Sequence, residues 1–244
     1  MVIGGWTGDV LLAGIVLLGS CVQWLTGMGF ALVAVPALIL LLGPADGVVL
    51  ANCAAGAISV VGLAGGRRRV RLGAMLPLCG AAVCTVPAGA WLTRRLPAPA
   101  LLLVMGALVT VAVLLVMRGA RVPALRGTKG AITAGAAGGF MNSAAGVGGP
   151  PVSLYALNAG WTVREFVPNA QFYGVIVNAF SVAANGVPTL STPKWVSVAV
   201  AMAVGAAIGR GLSDRIPERR ARQLVLSLAL AGGVTAVGKG LWGL

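Results

Sequence analysis

The sequence predicts an all-α polytopic membrane protein. It is built as an inverted repeat of two five-segment halves, each starting with a broken or re-entrant helical hairpin. Three observations carry this prediction. The 244 residues are 58% hydrophobic and 9% charged, where a soluble domain carries about 25% charged residues. Apolar runs near the bilayer-spanning length of about 20 residues fill almost all the chain between short basic clusters. Polar and charged landmarks recur at a fixed offset in the two halves. With a mean hydropathy of +0.96, a soluble enzyme and a nucleic-acid binder are both excluded. The lipid bilayer is the expected surrounding.

The net charge of +13 is mostly arginine in short loops, the signature of a positive-inside bias. It needs no acidic partner. No Lys or Arg precedes the first apolar run, so no cleavable signal peptide is expected. Cys21, Cys53, Cys79 and Cys84 all sit in apolar runs and read as small buried hydrophobes. The chain has no His. It therefore lacks the usual proton shuttle and metal ligand, and Ser-His and Cys-His catalysis are excluded. No metal and no cofactor is expected.

The segments follow in order. Segment one spans residues 9–26 and ends at the hinge Gly27-Met28-Gly29. Segment two spans 29–42, short for a bilayer core of about 30 Å at 1.5 Å per residue. Gly43-Pro44-Ala45-Asp46 closes it. Segment three spans 47–64, before the cluster Arg67, Arg68, Arg69 and Arg71. Segment four spans 73–92, ahead of Arg94 and Arg95. Pro97 and Pro99 open segment five, as proline does at helix starts, and it ends near Met117. A basic link leads to segment six at 130–145. A break at Gly146–Pro151 follows, then short segment seven to Gly160. Segment eight spans 166–184, segment nine 195–212, and segment ten ends near Val237.

The halves, 1–120 and 121–244, match each other. An offset of 119 takes Gly27 to Gly146, Gly29 to Gly148, Asp46 to Glu165 and Asn52 to Gln171. An offset of 120 superimposes the pattern G-x-x-L-[TS]-x-R-[LI]-P, from Gly89 to Pro97, on Gly209 to Pro217. Five segments per half, an odd number, invert the second copy. The charges agree. One side collects the Arg67–Arg71 cluster, Arg118, Arg121, Arg126, Lys129, Arg164, Arg210, Arg215, Arg219, Arg220 and Arg222. The other keeps Arg94, Arg95, Lys194 and Lys239. The first side is expected inside, both termini outside, and the two short segments enter from opposite faces.

The stretch Gly138–Pro151, GGFMNSAAGVGGPP, is a poor helix inside an apolar span. At bilayer depth such a break survives only where protein or a wet cavity covers it. Interrupted helices paired across an inverted repeat build substrate sites in secondary transporters, their half-helix N-termini pointing at anionic groups. The expected site is the gap between the two hinges, lined by backbone N–H groups and neutral side chains. Gly27, Gly29, Gly146, Gly148, Gly149 and Pro150 form the hinges. Asn142 and Ser143 lie in the second hinge, and Gln23 and Thr26 flank the first. Asn52 and Gln171, as repeat mates, are placed to donate to one oxyanion from two sides; helix-to-helix bonding is the alternative for each of these polar residues. Tyr155 and Tyr173 add hydroxyls or interfacial anchors. The second hinge, richer in Gly and Pro, is expected to contribute more backbone donors. Asp46 and Glu165 stand at helix entries, where a negative charge is favourable; proton coupling is the alternative.

The hinge GMGFALVAVP (residues 27–36) and its counterpart GGFMNSAAGVGGPP resemble the TauE/SafE sulfite-exporter family. Length, duplicated halves and basic loops fit as well, and the resemblance covers nearly the whole chain. It implies a multi-pass transporter of the bacterial cytoplasmic (inner) membrane that exports sulfite, an organosulfonate or another small sulfur compound. A passive anion channel, or a transporter of another small anion, is the alternative. A membrane enzyme fits poorly, having no nucleophile–base pair. Monomer and homo-oligomer both stay open.

Overall fold

Glycines, prolines and acidic residues set the helix ends in the computed structural model, which describes residues 5–26, 29–119, 125–212, 215 and 218–243. Among these residues the structure is helical, with no strand. The first half holds α1 (Trp6–Thr26), α2 (Phe30–Leu42), α3 (Pro44–Ala64), α4 (Leu72–Arg95) and α5 (Ala98–Met117). The second holds α6 (Gly127–Ala145), α7 (Gly149–Asn158), α8 (Val163–Asn185), α9 (Thr192–Leu212) and α10 (Glu218–Trp242). Six helices are long and apolar enough to cross a membrane: α1, α3, α4, α5, α9 and the described part of α10. Helices α6 and α8 have 19 and 23 residues, yet they are more polar. They carry most of the buried amides and hydroxyls, including Asn142, Ser143, Asn169, Asn178 and Ser181.

The boundaries correct the expected segments in two physical ways. Proline is tolerated in the first helical turn, where its missing N–H has no intrahelical partner to lose. Pro44 therefore opens α3, and Pro150 and Pro151 lie inside the first turn of α7. The break before α7 shrinks from Gly146–Pro151 to Gly146–Gly148. Secondly, Asp46 and Glu165 fall within first turns of α3 and α8 rather than ahead of them. The 13 residues of α2 and 10 of α7 reach only about 20 and 15 Å. Gly27 and Met28 lie outside the described residues.

Small residues let the long helices approach backbone to backbone, the packing that lipid-embedded helices favour. A Cβ on Gly135 or Gly139 of α6 would lie 2.0 or 2.1 Å from the carbonyl oxygens of Leu78 or Ala82 on α4. Gly205 and Gly209 of α9 meet the carbonyls of Leu17 and Cys21 on α1 in the same way, at 2.3 and 2.5 Å. Residue numbers rise together in both pairs, so each is parallel. Helices α3 and α8 instead run antiparallel: Gly56 faces Asn178, Ser59 faces Gly174, Gly62 faces Gln171 and Gly66 faces Pro168. Helices α5 and α10 are antiparallel too, with Gly106 against Gly233 and Leu103 against Gly240.

The outer surface is apolar, with Val60, Leu76, Val111, Val200 and Leu228 exposed, as a lipid-facing surface is. Trp6, Trp91 and Trp242 stand out at helix ends, where interfacial tryptophans sit. The four cysteines are free thiols. Cys79 is buried, Cys21 and Cys53 are half-buried, and Cys84 is exposed, so burial describes three of them at most.

Candidate functional site

The second hinge is shaped by Gly146. It adopts a left-handed conformation, φ +68°, at the C-cap of α6. Its N–H bonds to the Asn142 carbonyl at 2.9 Å, and the Val147 N–H reaches the Met141 carbonyl at 3.4 Å. This is the glycine-dependent way to end a helix and satisfy its last carbonyls. The chain then reverses into α7.

Asn142 is the centre of the polar network. Its side-chain oxygen accepts from the Gly148 N–H at 3.2 Å, holding the start of α7. Its Nδ2 carries two hydrogens and faces three acceptors: Ser181 Oγ at 3.0 Å, Asn178 Oδ1 at 3.1 Å and Asn52 Oδ1 at 3.3 Å. Asn52 Nδ2 donates in return to the Asn142 carbonyl at 3.3 Å. One side chain thus ties α6 to α7, α8 and α3.

Gln23 does the corresponding work at the first hinge. Its Oε1 accepts from the Phe30 N–H, the first of α2, at 3.0 Å. Its Nε2 lies 3.5 Å from Ser59 Oγ on α3. Gln23 and Asn142 are themselves 119 apart, as are Ser59 and Asn178. The offset that matched the glycines would have matched these pairs as well. Ser59 and Ser181 were not among the residues expected from the sequence.

Both hinges open onto one cavity of about 50 Å³, lined by Gly29, Ala31 and Leu32 of the first and Val147, Gly148 and Gly149 of the second. Gln23, Ser59, Asn142, Asn178 and Tyr173 supply its polar side chains. It holds a few water molecules by volume. Among the described residues, no charged one lines it. Two helix N-termini therefore provide its positive potential. The donor expectation is reversed: α2 presents Ala31 and Leu32 at positions without intrahelical acceptors. In α7, Pro150 and Pro151 have no N–H and the Gly148 N–H is already taken by Asn142.

The remaining expected residues fall elsewhere. Asn52 stands one hydrogen bond behind the cavity, through Asn142. Ser143 turns away and accepts from Asn185 Nδ2 at 2.9 Å, with Thr93 of α4 donating to the same Asn185. Gly146 faces Val35 and Val48, and Pro150 is buried in α7. Gln171 packs on Gly62, ten residues along α3 from Asn52, or about 15 Å. The two mates do not meet. Gly27 lies outside the described residues.

Asp46 and Glu165 are clamps at the rims. Asp46 accepts from the Thr189 hydroxyl at 3.0 Å and the Thr189 N–H at 3.3 Å, holding the loop between α8 and α9. Glu165 forms a capping box with Thr162 and an ion pair with Arg71, holding the loop between α3 and α4. Arg71 also covers the Trp161 ring at 5.7 Å, and its N–H donates to Asn169 at 2.8 Å. Neither carboxylate reaches the cavity lining.

Against known families, the model described as sulfite exporter TauE/SafE matches residues 11–236. The chain belongs to the sulfite exporter TauE/SafE family. It is accordingly a multi-pass protein of a transporter family, in keeping with the six apolar membrane-span candidates. No curated protein and no solved structure matches it.

Proposed function

We propose that this TauE/SafE protein is a secondary transporter that exports a small sulfur-containing anion, sulfite foremost, across the bacterial cytoplasmic membrane by alternating access. The observation that carries the reading is the shared cavity: N-termini of two short helices, one from each half, open onto the same uncharged polar space. Two such termini attract an anion. With no buried Lys or Arg there, the anion leaves as readily as it enters. An inside-negative potential favours exit by about 2.3 kcal/mol per charge per 100 mV, so voltage is the driving force that needs fewest further residues.

The halves 1–120 and 121–244 act as an inverted repeat in this reading. Supporting it, the mates α3 and α8 are antiparallel, as are α5 and α10, while α4–α6 and α1–α9 are both parallel. The rim contacts fit the sidedness inferred from the arginines. Arg71 meets Glu165 where both belong inside; Lys194 lies 3.6 Å from Asp9, and Asp46 holds Thr189, where all belong outside.

Proteoliposomes loaded with labelled sulfite test the proposal. Saturable efflux, accelerated by counter-substrate and following an imposed potential rather than an imposed pH gradient, is the expected result. Unsaturable flux without counterflow points to a passive pore. No flux of sulfite, sulfate, thiosulfate or taurine sinks the reading.

A further inference from the structure

Tyr173 of α8 is buried, 2% exposed, and it is one of the residues lining the cavity between the hinges. Its hydroxyl has no hydrogen-bond partner among the described residues, although buried Tyr hydroxyls usually find one. Room for that oxygen is reserved by glycine: a Cβ on Gly138 would stand 2.4 Å from it, and 3.0 Å from the Gly148 carbonyl. The hydroxyl therefore lies beside the second hinge with its donor unspent, whereas Asn142, Asn178 and Gln23 already hold protein partners. The residue 119 earlier, on the matching helix α3, is Ala54, which is buried and has no polar atom to offer. Among the described residues, Tyr173 is thus the lining side chain whose polar atom has no protein partner, and its mate in the other half has nothing to match it.

From this we infer that the Tyr173 hydroxyl is the side-chain donor that contacts the transported anion, bonding one oxygen of a small oxyanion while the hinge N–H groups of α2 and Gly149 take the others. A phenol O–H donates at neutral pH and adds no charge to the site. The inference rests on the transport reading above and adds to it a specificity-determining residue. Among the described residues no carboxylate lines the cavity, so an ammonium group finds no countercharge there. A compact inorganic oxyanion is then preferred over a zwitterionic aminosulfonate such as taurine.

The test is Tyr173→Phe in the full chain, measured with sulfite in proteoliposomes and by thermal melting in detergent. A hydrogen bond to a charged ligand is expected to raise the sulfite KM about tenfold or more when lost. Melting should stay constant or rise, because an unpaired buried hydroxyl is removed. A purely structural hydroxyl would instead lower the melting temperature and leave KM alone. Unchanged KM beside active wild type overturns the inference and leaves the transport reading standing. Taurine carried as well as sulfite by wild type overturns the preference. A wild type that carries none of the panel anions overturns the transport reading and this inference together.

Discussion

The first and second hinges do the same job with different reach. Gln23 closes the first by gripping the start of α2 and Ser59, all within its own half. Asn142 closes the second by gripping the start of α7 and also Asn178, Ser181 and, across the halves, Asn52. A longer amide makes fewer contacts because its neighbours sit within one half; a shorter one sits where α3, α6, α7 and α8 converge. Equivalent positions in a duplicated chain can therefore carry unequal energy. Of the two hinge amides, Asn142 is the one that bonds across the halves.

The largest expected effect reaches the helices that bear the hinges. Gly135→Val places a carbon about 2.0 Å from the Leu78 carbonyl, an overlap that backbone cannot yield to. Gly205→Val does the same against Leu17 at 2.3 Å. Both variants should fail to give monodisperse protein on size exclusion. If one is tolerated, the two long-helix pairs are not equivalent.

Next comes Asn142→Ala against Gln23→Ala. Interhelical hydrogen bonds in membranes average about 0.6 and reach about 1.7 kcal/mol each. Asn142→Ala should cost about 3 kcal/mol and lower sulfite flux below a tenth, Gln23→Ala about 1 kcal/mol with partial flux. Equal losses in thermal melting and flux assays would break the comparison. A double-mutant cycle sharpens it. Asn52→Ala and Asn142→Ala should couple by about 1 kcal/mol, as residues in contact do, while Gln171→Ala and Asn142→Ala add.

The smallest effects belong to the rims. Asp46→Asn and Glu165→Gln should each lower the melting temperature least of these variants, because solvent screens exposed pairs, and leave the pH profile of transport in place. A flattened profile in either variant would assign that carboxylate to proton coupling.

Much of this was legible beforehand. Glycine and proline mark the two breaks because few other residues end and restart a helix so abruptly. The 119-residue offset exposed the pairing of Asp46 with Glu165, whose clamps grip the two corresponding loops. The position of Tyr173 was less legible. Helix α8 carries Asn169, Gln171, Asn178 and Ser181 as well as apolar residues, and the small-residue contacts along α3 decide which side of it turns inward. The proposed meeting of Asn52 and Gln171 failed for a geometric reason. Mates on an antiparallel pair are equally far from its midpoint in opposite directions, so only residues near the midpoint face their mates. Ser59 and Gly174 lie near it; Asn52 and Gln171 do not.

The polarity of α6 and α8 has a consequence for how the protein is made. These two helices carry Asn142, Ser143, Asn169, Asn178 and Ser181, side chains that hydrocarbon does not solvate. Their main partners, α4 for α6 and α3 for α8, lie earlier in the chain and leave the ribosome first. The apolar first half enters the bilayer on its own composition. The second half then inserts against a surface already in place, and in an expressed fragment of residues 121–244, anchored by α9 and α10, α6 and α8 should insert poorly until residues 1–120 are supplied alongside it.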